Sequence, residues 1–482
     1  MLIVFIVYLA ITISIAWWYS RGSRTNAEFI LGNQRFSGVA LALSERATGE
    51  SAWLLLGLTG YAFTEGLSSV WVALGCVIGI VFIWLVMAKR LRDETEKTGA
   101  LTIPGLLGRK FPESKKAISQ LSSVIIIFFF IFYIAAQFAG SGKVLEKTFG
   151  LDPLWGIVIG SLVVTAYCMM GGFIAVVVTD VFQSVLMIFT LVAFPIIAVF
   201  VAAANNIHFA ETLSAAGPQI LSLTLMKTGG SAILFILSGL SWALGYSGQP
   251  QLLSRMMAIR NDADVRKAKW VAVAWTLLAY TGAILIGLLG FAFVHSGYLG
   301  NEAGKLAQDA EKILPVMVVT LVNPLIAGVI LSGVISAMMS TASTELTVSS
   351  ASMTEDIISQ ASRREIEQRR RLWLNRLMTL AIGLVAIVLA LYMTDTVYGL
   401  VSYAWSGIGS SFGPALLLLL FWKKFSKAGL FASLISGTTG TIIWKTFFEA
   451  NTGISERLTS FVFSFVMAVL FSLIFPGNEK SK

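Results

Sequence analysis

The sequence predicts an all-α membrane protein with about 13 transmembrane helices. Three observations lead there. First, 56% of the 482 residues are hydrophobic and only 13% are charged, with a mean hydropathy of +0.80, so the chain lacks the polar surface that a soluble body of this size needs. Second, apolar runs of about 20 residues recur along the chain, the length a helix needs to cross a hydrocarbon core of about 30 Å. The runs are continuous rather than alternating, which argues against a β-barrel. Third, Lys and Arg gather in alternate connections, as topology in a bilayer requires.

The spans run in order over residues 2–19, 38–63, 68–88, 117–146, 154–171, 174–204, 230–252, 270–295, 324–352, 373–393, 397–422, 428–448 and 458–475. The first resembles a signal peptide, but its charges, Arg21 and Arg24, follow the apolar core instead of preceding it, so it is read as a retained span. Arg21, Arg24 and Arg35 follow span 1, and eight basic residues from Lys89 to Lys116 follow span 3. Arg255, Arg260, Arg266, Lys267 and Lys269 follow span 7. Arg363, Arg364, Arg369, Arg370, Arg371 and Arg376 follow span 9, and Lys423, Lys424, Lys427, Lys480 and Lys482 follow spans 11 and 13. These hold 27 of the 35 basic residues, which places the N-terminus outside and the C-terminus in the cytoplasm of a bacterial inner membrane.

The same placement disposes of a nucleic-acid partner: the net charge of +9 lies in loops between apolar spans. The run RREIEQRRR at 363–371 reads as a topogenic loop in preference to a lipid-headgroup site. Cys76 and Cys168 fall in spans, and His208 and His295 lie far apart beside external loops, so neither a disulfide, a metal cluster nor a nucleophile–base pair is expected. An intramembrane enzyme finds no catalytic constellation, and a signalling receptor finds no room for an output domain after PGNEKSK.

Two spans are interrupted. SERATGESAW, residues 44–53, puts Glu45, Arg46 and Glu50 around Gly49 inside an apolar run; SWALGYSGQP, residues 241–250, brings Gly245, Gly248 and Pro250 together. Backbone freed from a helix at membrane depth is tolerated only where protein buries it or it lines a cavity. Interrupted spans in matching places of two repeats point to the central site of a transporter. The breaks lie in spans 2 and 7, an offset of five, which fits two five-span units of inverted topology. The whole chain, 1–482, then forms one transporter domain: 1–37 an extra span and inner loop, 38–204 the first repeat, 230–422 the second, and 428–475 the last two spans.

The chain resembles the sodium/solute symporter family, and within it the bacterial proline-carrying branch. The motifs are ESAWLLLGLTG at 50–60, TFG at 148–150, GGFIAVVVTDVFQSVLMIF at 171–189, GYSGQPQLLSRMMA at 245–258, NPLIAGVILSGVISAMMSTAS at 323–343, TED at 354–356 and GLVSYAWSGIGSSFGPALL at 399–417. The resemblance implies a LeuT-like fold, sodium as the coupling ion with no cofactor, and L-proline or a similar small solute as cargo. It implies a sodium site built from the carbonyls of Ala47, Glu50 and Ala337 with the hydroxyls of Ser340 and Thr341. Some members hold a second sodium, which would map to Asp180, Ser340, Ser343 and Thr344. Oxygen ligands suit a hard cation, and Ser340, Ser343 and Thr344 share one helix face; small hydroxylated residues also simply let helices pack closely. Asp180 alternatively reads as a helix-start carboxylate. The solute pocket is implied at Ser51, Ala52, Tyr133, Trp242, Tyr246 and Pro250, although i, i+4 aromatics are also ordinary packing, and Tyr403 and Trp405 are candidates for an external gate.

The chain departs from the proline branch in three places. That branch has an Asp where this chain has Gly49, an uncharged residue at Glu50 and a Gly at Ala52. Intramembrane charges are costly and usually paired. Three readings of the charges stay open: Glu50 takes over the missing Asp's work; Arg46 and Glu50 pair internally, with Glu45 or Glu345; or Glu45 and Arg46 reach cytoplasmic water. A buried glutamate also leaves proton coupling open. The rival cargoes are another amino acid, sialic acid, a sugar, pantothenate or a monocarboxylate.

Overall fold

A computed structural model describes residues 1–20, 26–32, 36–215, 217–362, 366–393 and 395–476. Arg21, Arg24, Arg35, Arg363, Arg364, Lys480 and Lys482 lie outside the described residues. Among those described the secondary structure is helical throughout, with no strand. The main helices are α1 Leu2–Ser20, α2 Gly38–Ala52, α3 Val70–Phe82, α4 Lys115–Phe149, α5 Pro153–Ala204, α6 Gly229–Leu240 and α7 Pro250–Met257. They continue with α8 Asp262–His295, α9 Pro324–Ala351, α10 Gln368–Tyr392, α11 Val397–Phe421, α12 Lys427–Ile443 and α13 Glu456–Ile474.

By length and composition, ten described helical segments suffice to cross a membrane, and Pro153–Met169 is a shorter apolar one. The expected spans are not each a separate helix, because the chain reverses inside two continuous helical runs, Gly38–Thr98 and α5. The first runs from Gly38 to Thr98 and turns at Gly66, whose φ of 62° and ψ of −139° only glycine adopts readily. Both of its ends meet the start of α8: Gly38 lies against the Asp264 carbonyl, and Arg92 Nη1 donates to Asp262 Oδ1 at 3.1 Å. The second is α5, which turns at Gly172 (φ 58°, ψ −163°). Tyr167 Oη donates to the Met339 carbonyl at 2.8 Å, and Asp180 Oδ1 accepts from Ser340 at 2.6 Å. Thirteen residues of straight helix span about 20 Å, so partners one residue apart on α9 require a hairpin.

α9 forms the axis of the bundle: 83% of its apolar window is buried, against 17% for α1 and 28% for α13. It packs on α2, α4 and both arms of α5. Small residues permit this, since Gly333 lies on Thr190 and the Leu186 carbonyl, and Gly140 of α4 lies on Ala52 and Met338.

Candidate ion and solute site

The first break falls at Ser51, with φ 31° and ψ −169°, a conformation that L residues avoid. Its surroundings hold it there. Ala52 N–H, which an unbroken helix would turn back toward Thr48, donates to Gln137 Oε1 at 2.8 Å. The Thr48 carbonyl accepts from Thr341 Oγ1 at 2.8 Å, and the Gly49 carbonyl from Trp53 Nε1 at 3.3 Å. Trp53 N–H donates to the Ser51 hydroxyl at 3.2 Å. Backbone groups freed by the break are thus met by α4 on one side and α9 on the other, as buried peptide groups require.

The charges beside the break form a buried cluster. Arg46 Nε donates to Glu45 Oε2 at 2.6 Å, its Nη2 pairs with Glu45 Oε1, and its Nη1 reaches Glu50 Oε1 at 2.7 Å and Thr276 Oγ1 at 3.2 Å. Trp84 Nε1 donates to Glu45 Oε2 at 3.0 Å. Glu45, Arg46 and Glu50 are all fully buried, which corrects the reading that Glu45 and Arg46 meet cytoplasmic water. Glu345 does not join the pair: both its oxygens are buried without a hydrogen-bond partner, as is Glu50 Oε2.

Of the residues expected at the main sodium site, Ala47, Glu50, Ala337, Ser340 and Thr341 are all fully buried. Thr341 is drawn onto α2 through the Thr48 carbonyl. Ser340 Oγ instead donates to Asp180 and stands 3.4 Å from Thr48 Oγ1. Thr344 Oγ1 is 3.2 Å from the same threonine, so Ser340 and Thr344 share the expected face. Ser343 does not meet them; its hydroxyl donates to the Ser340 carbonyl within α9 at 2.9 Å. Asp180 is fully buried and lies eight residues past the turn, which corrects its reading as a helix-start carboxylate, because the helix dipole acts only within the first turn.

Sequence reasoning missed the main partner of Asp180. Arg255 was grouped with an inner loop, yet it is fully buried on α7, with Nη2 3.0 Å from Asp180 Oδ2. The flanking basic residues and the short α7 made a loop the natural reading, against which stood Pro250, which starts a helix by filling its first position, and the motif GYSGQPQLLSRMMA, which runs through Arg255. Pro250, Ser254, Arg255 and Thr344 line a narrow cleft of about 30 Å³, walled elsewhere by Thr102, Phe173 and Ser352.

The second break lies between Leu240 and Pro250. A short helix, Trp242–Tyr246, gives way to Gln249 in an extended conformation (φ −83°, ψ 105°). Gln249 Nε2 donates to the Trp405 carbonyl at 3.0 Å. Gly245 lies on the Trp405 indole and Gly248 on the backbone of Gly409 and Gly413, with no room for a methyl at either. The residues expected at the solute pocket gather here. Trp242 stacks on Trp53 at 4.5 Å between ring centroids, and Tyr246 packs edge-on to Trp405 at 4.6 Å. Tyr246 Oη is 3.0 Å from Tyr280 Oη, and Tyr133 Oη is 3.4 Å from Ser51 Oγ. Trp405 is part of this aromatic cluster, whereas Tyr403 packs on Phe129 and Phe132. Pro250 lies apart, on the cleft. Trp53, Gln137 and Tyr280 were not anticipated.

The end of the bundle away from the cleft is braced by ion pairs. Lys143 pairs with Glu311 at 2.6 Å and Asp309 at 3.0 Å, and Lys312 with Glu146 at 2.8 Å. Glu311 also accepts the first amides of α11, from Val397 at 3.0 Å and Tyr398 at 2.8 Å, an anion at a helix N-terminus. Arg457 lies over the Trp242 ring at 4.6 Å and pairs with Glu456 and Ser402. Both cysteines are buried free thiols, and among the described residues no group of three His, Cys, Asp or Glu is placed to hold a metal.

The chain is similar to known proteins over nearly its whole length. The high-affinity proline transporter PutP of Bacillus subtilis is 36% identical over 94% of this chain and 92% of its own length. The sodium/proline symporter of Escherichia coli K12 is 34% identical over 98% of this chain and 93% of its own. A solved Na+-coupled sialic acid symporter matches in fold with a TM-score of 0.80 at 18% identity, over 99% of this chain and 98% of that one. The model of the sodium:solute symporter family matches residues 29–437. This multi-pass membrane chain, with its LeuT-like helical fold, belongs to the sodium:solute symporter family.

Proposed function

We propose that this chain is a secondary transporter that imports L-proline together with sodium by alternating access. The observation that carries the reading is end-to-end likeness to proline transporters, at 34–36% identity over 94–98% of the chain. Sodium is the coupling ion and no cofactor enters. The orientation proposed is N-terminus outside and C-terminus in the cytoplasm of a bacterial inner membrane, supported by the basic residues of alternate loops. The cleft at Pro250 and Arg255 then opens inward, and the ion-paired end faces out. Spans 2–6 and 7–11 are proposed as the inverted repeats, each contributing one broken helix to the centre.

At that centre the ion is assigned to Ala47, Glu50, Ala337, Ser340 and Thr341, and the solute to Ser51, Ala52, Tyr133, Trp242 and Tyr246, with Pro250 at its inner edge. Freed backbone carbonyls and hydroxyls suit sodium, and ring faces suit the secondary ammonium of proline. Glu50 supplies negative charge at the ion site where the proline branch has an Asp one residue earlier, its second oxygen being unpartnered.

A second reading keeps the mechanism and changes the cargo to another small solute. Ala52 favours it, a methyl where the proline branch has none, directly after the strained Ser51. Labelled L-proline uptake into proteoliposomes under an inward sodium gradient, with a potassium gradient as control, decides. Sodium-dependent uptake competed only by close proline analogues is expected; absence of proline uptake by folded protein would move the cargo to the other solutes.

A further inference from the structure

We propose that the Arg255 guanidinium is a tethered cation that holds the position a second sodium ion would take at Asp180. The inference rests on the sodium-coupled reading above and concerns ion number, not cargo.

The Asp180 cluster has the makings of a cation site. Ser44, Thr48, Ser340 and Thr344 surround one carboxylate, drawn from α2, the second arm of α5 and α9, and all are buried. In this structure every one of these side chains is engaged. Asp180 Oδ1 accepts from Ser340 at 2.6 Å, and Oδ2 accepts from Ser44 at 2.6 Å and from Arg255 at 3.0 Å. Arg255 supplies the remaining contacts a metal ion would make. Its Nη2 also donates to Thr344 Oγ1 at 2.6 Å and Thr48 Oγ1 at 3.2 Å, and its Nε to Ser44 Oγ at 3.1 Å. Its Nη1 is met by the Gln251 carbonyl at 3.0 Å and by Ser254 Oγ at 3.3 Å, so all three nitrogens are satisfied. The Phe173 ring covers the guanidinium at 5.3 Å.

Charge points the same way. Asp180 and Arg255 cancel, and a sodium ion added beside them would be a second buried cation on a pair that is already neutral, which a low-dielectric interior disfavours. The cluster at the first break is the opposite case. Glu45, Arg46 and Glu50 formally carry one negative charge in excess, and Glu50 Oε2 has no hydrogen-bond partner. One ion has a place at the break in α2; the place at Asp180 is filled by the protein.

The test counts bound ions with radiolabelled sodium on the full-length protein in detergent, with no solute present, so that a wrong cargo assignment leaves it intact. The wild type is expected to bind one sodium ion at saturation. R255Q, which removes the tethered charge and leaves Asp180 free, is expected to bind two, and R255Q/D180N one again. R255Q is also expected to gain more thermal stability from added sodium than the wild type does, since a ligand bound only to the folded state stabilises it by mass action. Two ions on the wild type, or one on a folded R255Q, would overturn the proposal. Should R255Q fail to fold, the wild-type count still decides.

Discussion

The two breaks at the centre of the bundle are built differently, and the difference shows how one chain makes an ion site and a solute site from the same device. The first is a single strained residue, Ser51, whose freed backbone is taken up by polar side chains from α4 and α9, with a three-residue charge cluster over the six residues before it. The second has no charged residue between Ser241 and Gln251 and is made by glycines. Gly245 and Gly248 bring the chain onto Trp405, Gly409 and Gly413, and indole and phenol rings fill the space. Oxygen ligands and negative charge are what a hard cation needs; ring faces and tight walls are what a small zwitterion needs.

The largest way to break this contrast is to remove the charge at the first break. R46M leaves Glu45 and Glu50 buried without their shared cation, a loss of about 3–5 kcal/mol. A sharp fall in melting temperature in detergent is expected, and E45Q/R46M/E50Q should recover much of it. An R46M protein as stable as wild type would show that the cluster is not a brace. Next comes G248A, whose methyl meets the Gly413 amide and Gly409. Overpacking costs about 1–3 kcal/mol, and uptake should fall while sodium binding measured without solute is retained. Equal loss of both would mean that the second break also shapes the ion site.

T341V deletes the hydroxyl that meets the Thr48 carbonyl and should cost about 1 kcal/mol, with sodium affinity falling more than proline affinity. A change in proline KM alone would contradict the assignment. The smallest effect joins the two breaks. Trp53 follows the first and Trp242 belongs to the second, and they stack at 4.5 Å. A double-mutant cycle of W53L and W242L, read by thermal unfolding, should give a coupling of about 0.5–1.5 kcal/mol. Zero coupling would separate the breaks energetically.

The bundle and both breaks were legible in the sequence, because apolar length and glycine placement are local properties. SERATGESAW announced a buried Arg46–Glu50 contact through its i, i+4 spacing, and span 9 announced the face that carries Ser340 and Thr344. What stayed hidden depends on distant segments meeting. Arg255 looked like one more loop cation, since nothing local says that Asp180, 75 residues earlier, waits for it. Gln137, which holds the Ala52 amide 85 residues away, is an ordinary polar residue until the break gives it a partner. Of the two further acids that could join the Arg46–Glu50 pair, Glu45 does and Glu345 does not, its oxygens being left without a donor.

The reversal inside α5 has a practical consequence for anyone who maps this chain with chemical reagents. Such maps record connections by what water can reach, whether a thiol label, a protease or an inserted tag. Gly172 sits at the turn, and Cys168 and Phe173 on either side of it are buried, at 2% and 3% exposure. A label directed to Cys168 or Phe173 would stay silent, and on those two positions alone residues 153–204 would be scored as one crossing where the chain makes a hairpin. Every assignment of sidedness after Asn205 would then be inverted. Labelling series on this protein therefore have to be anchored separately in the segments before Asp152 and after Asn205, and joined through the α5 hairpin rather than across it.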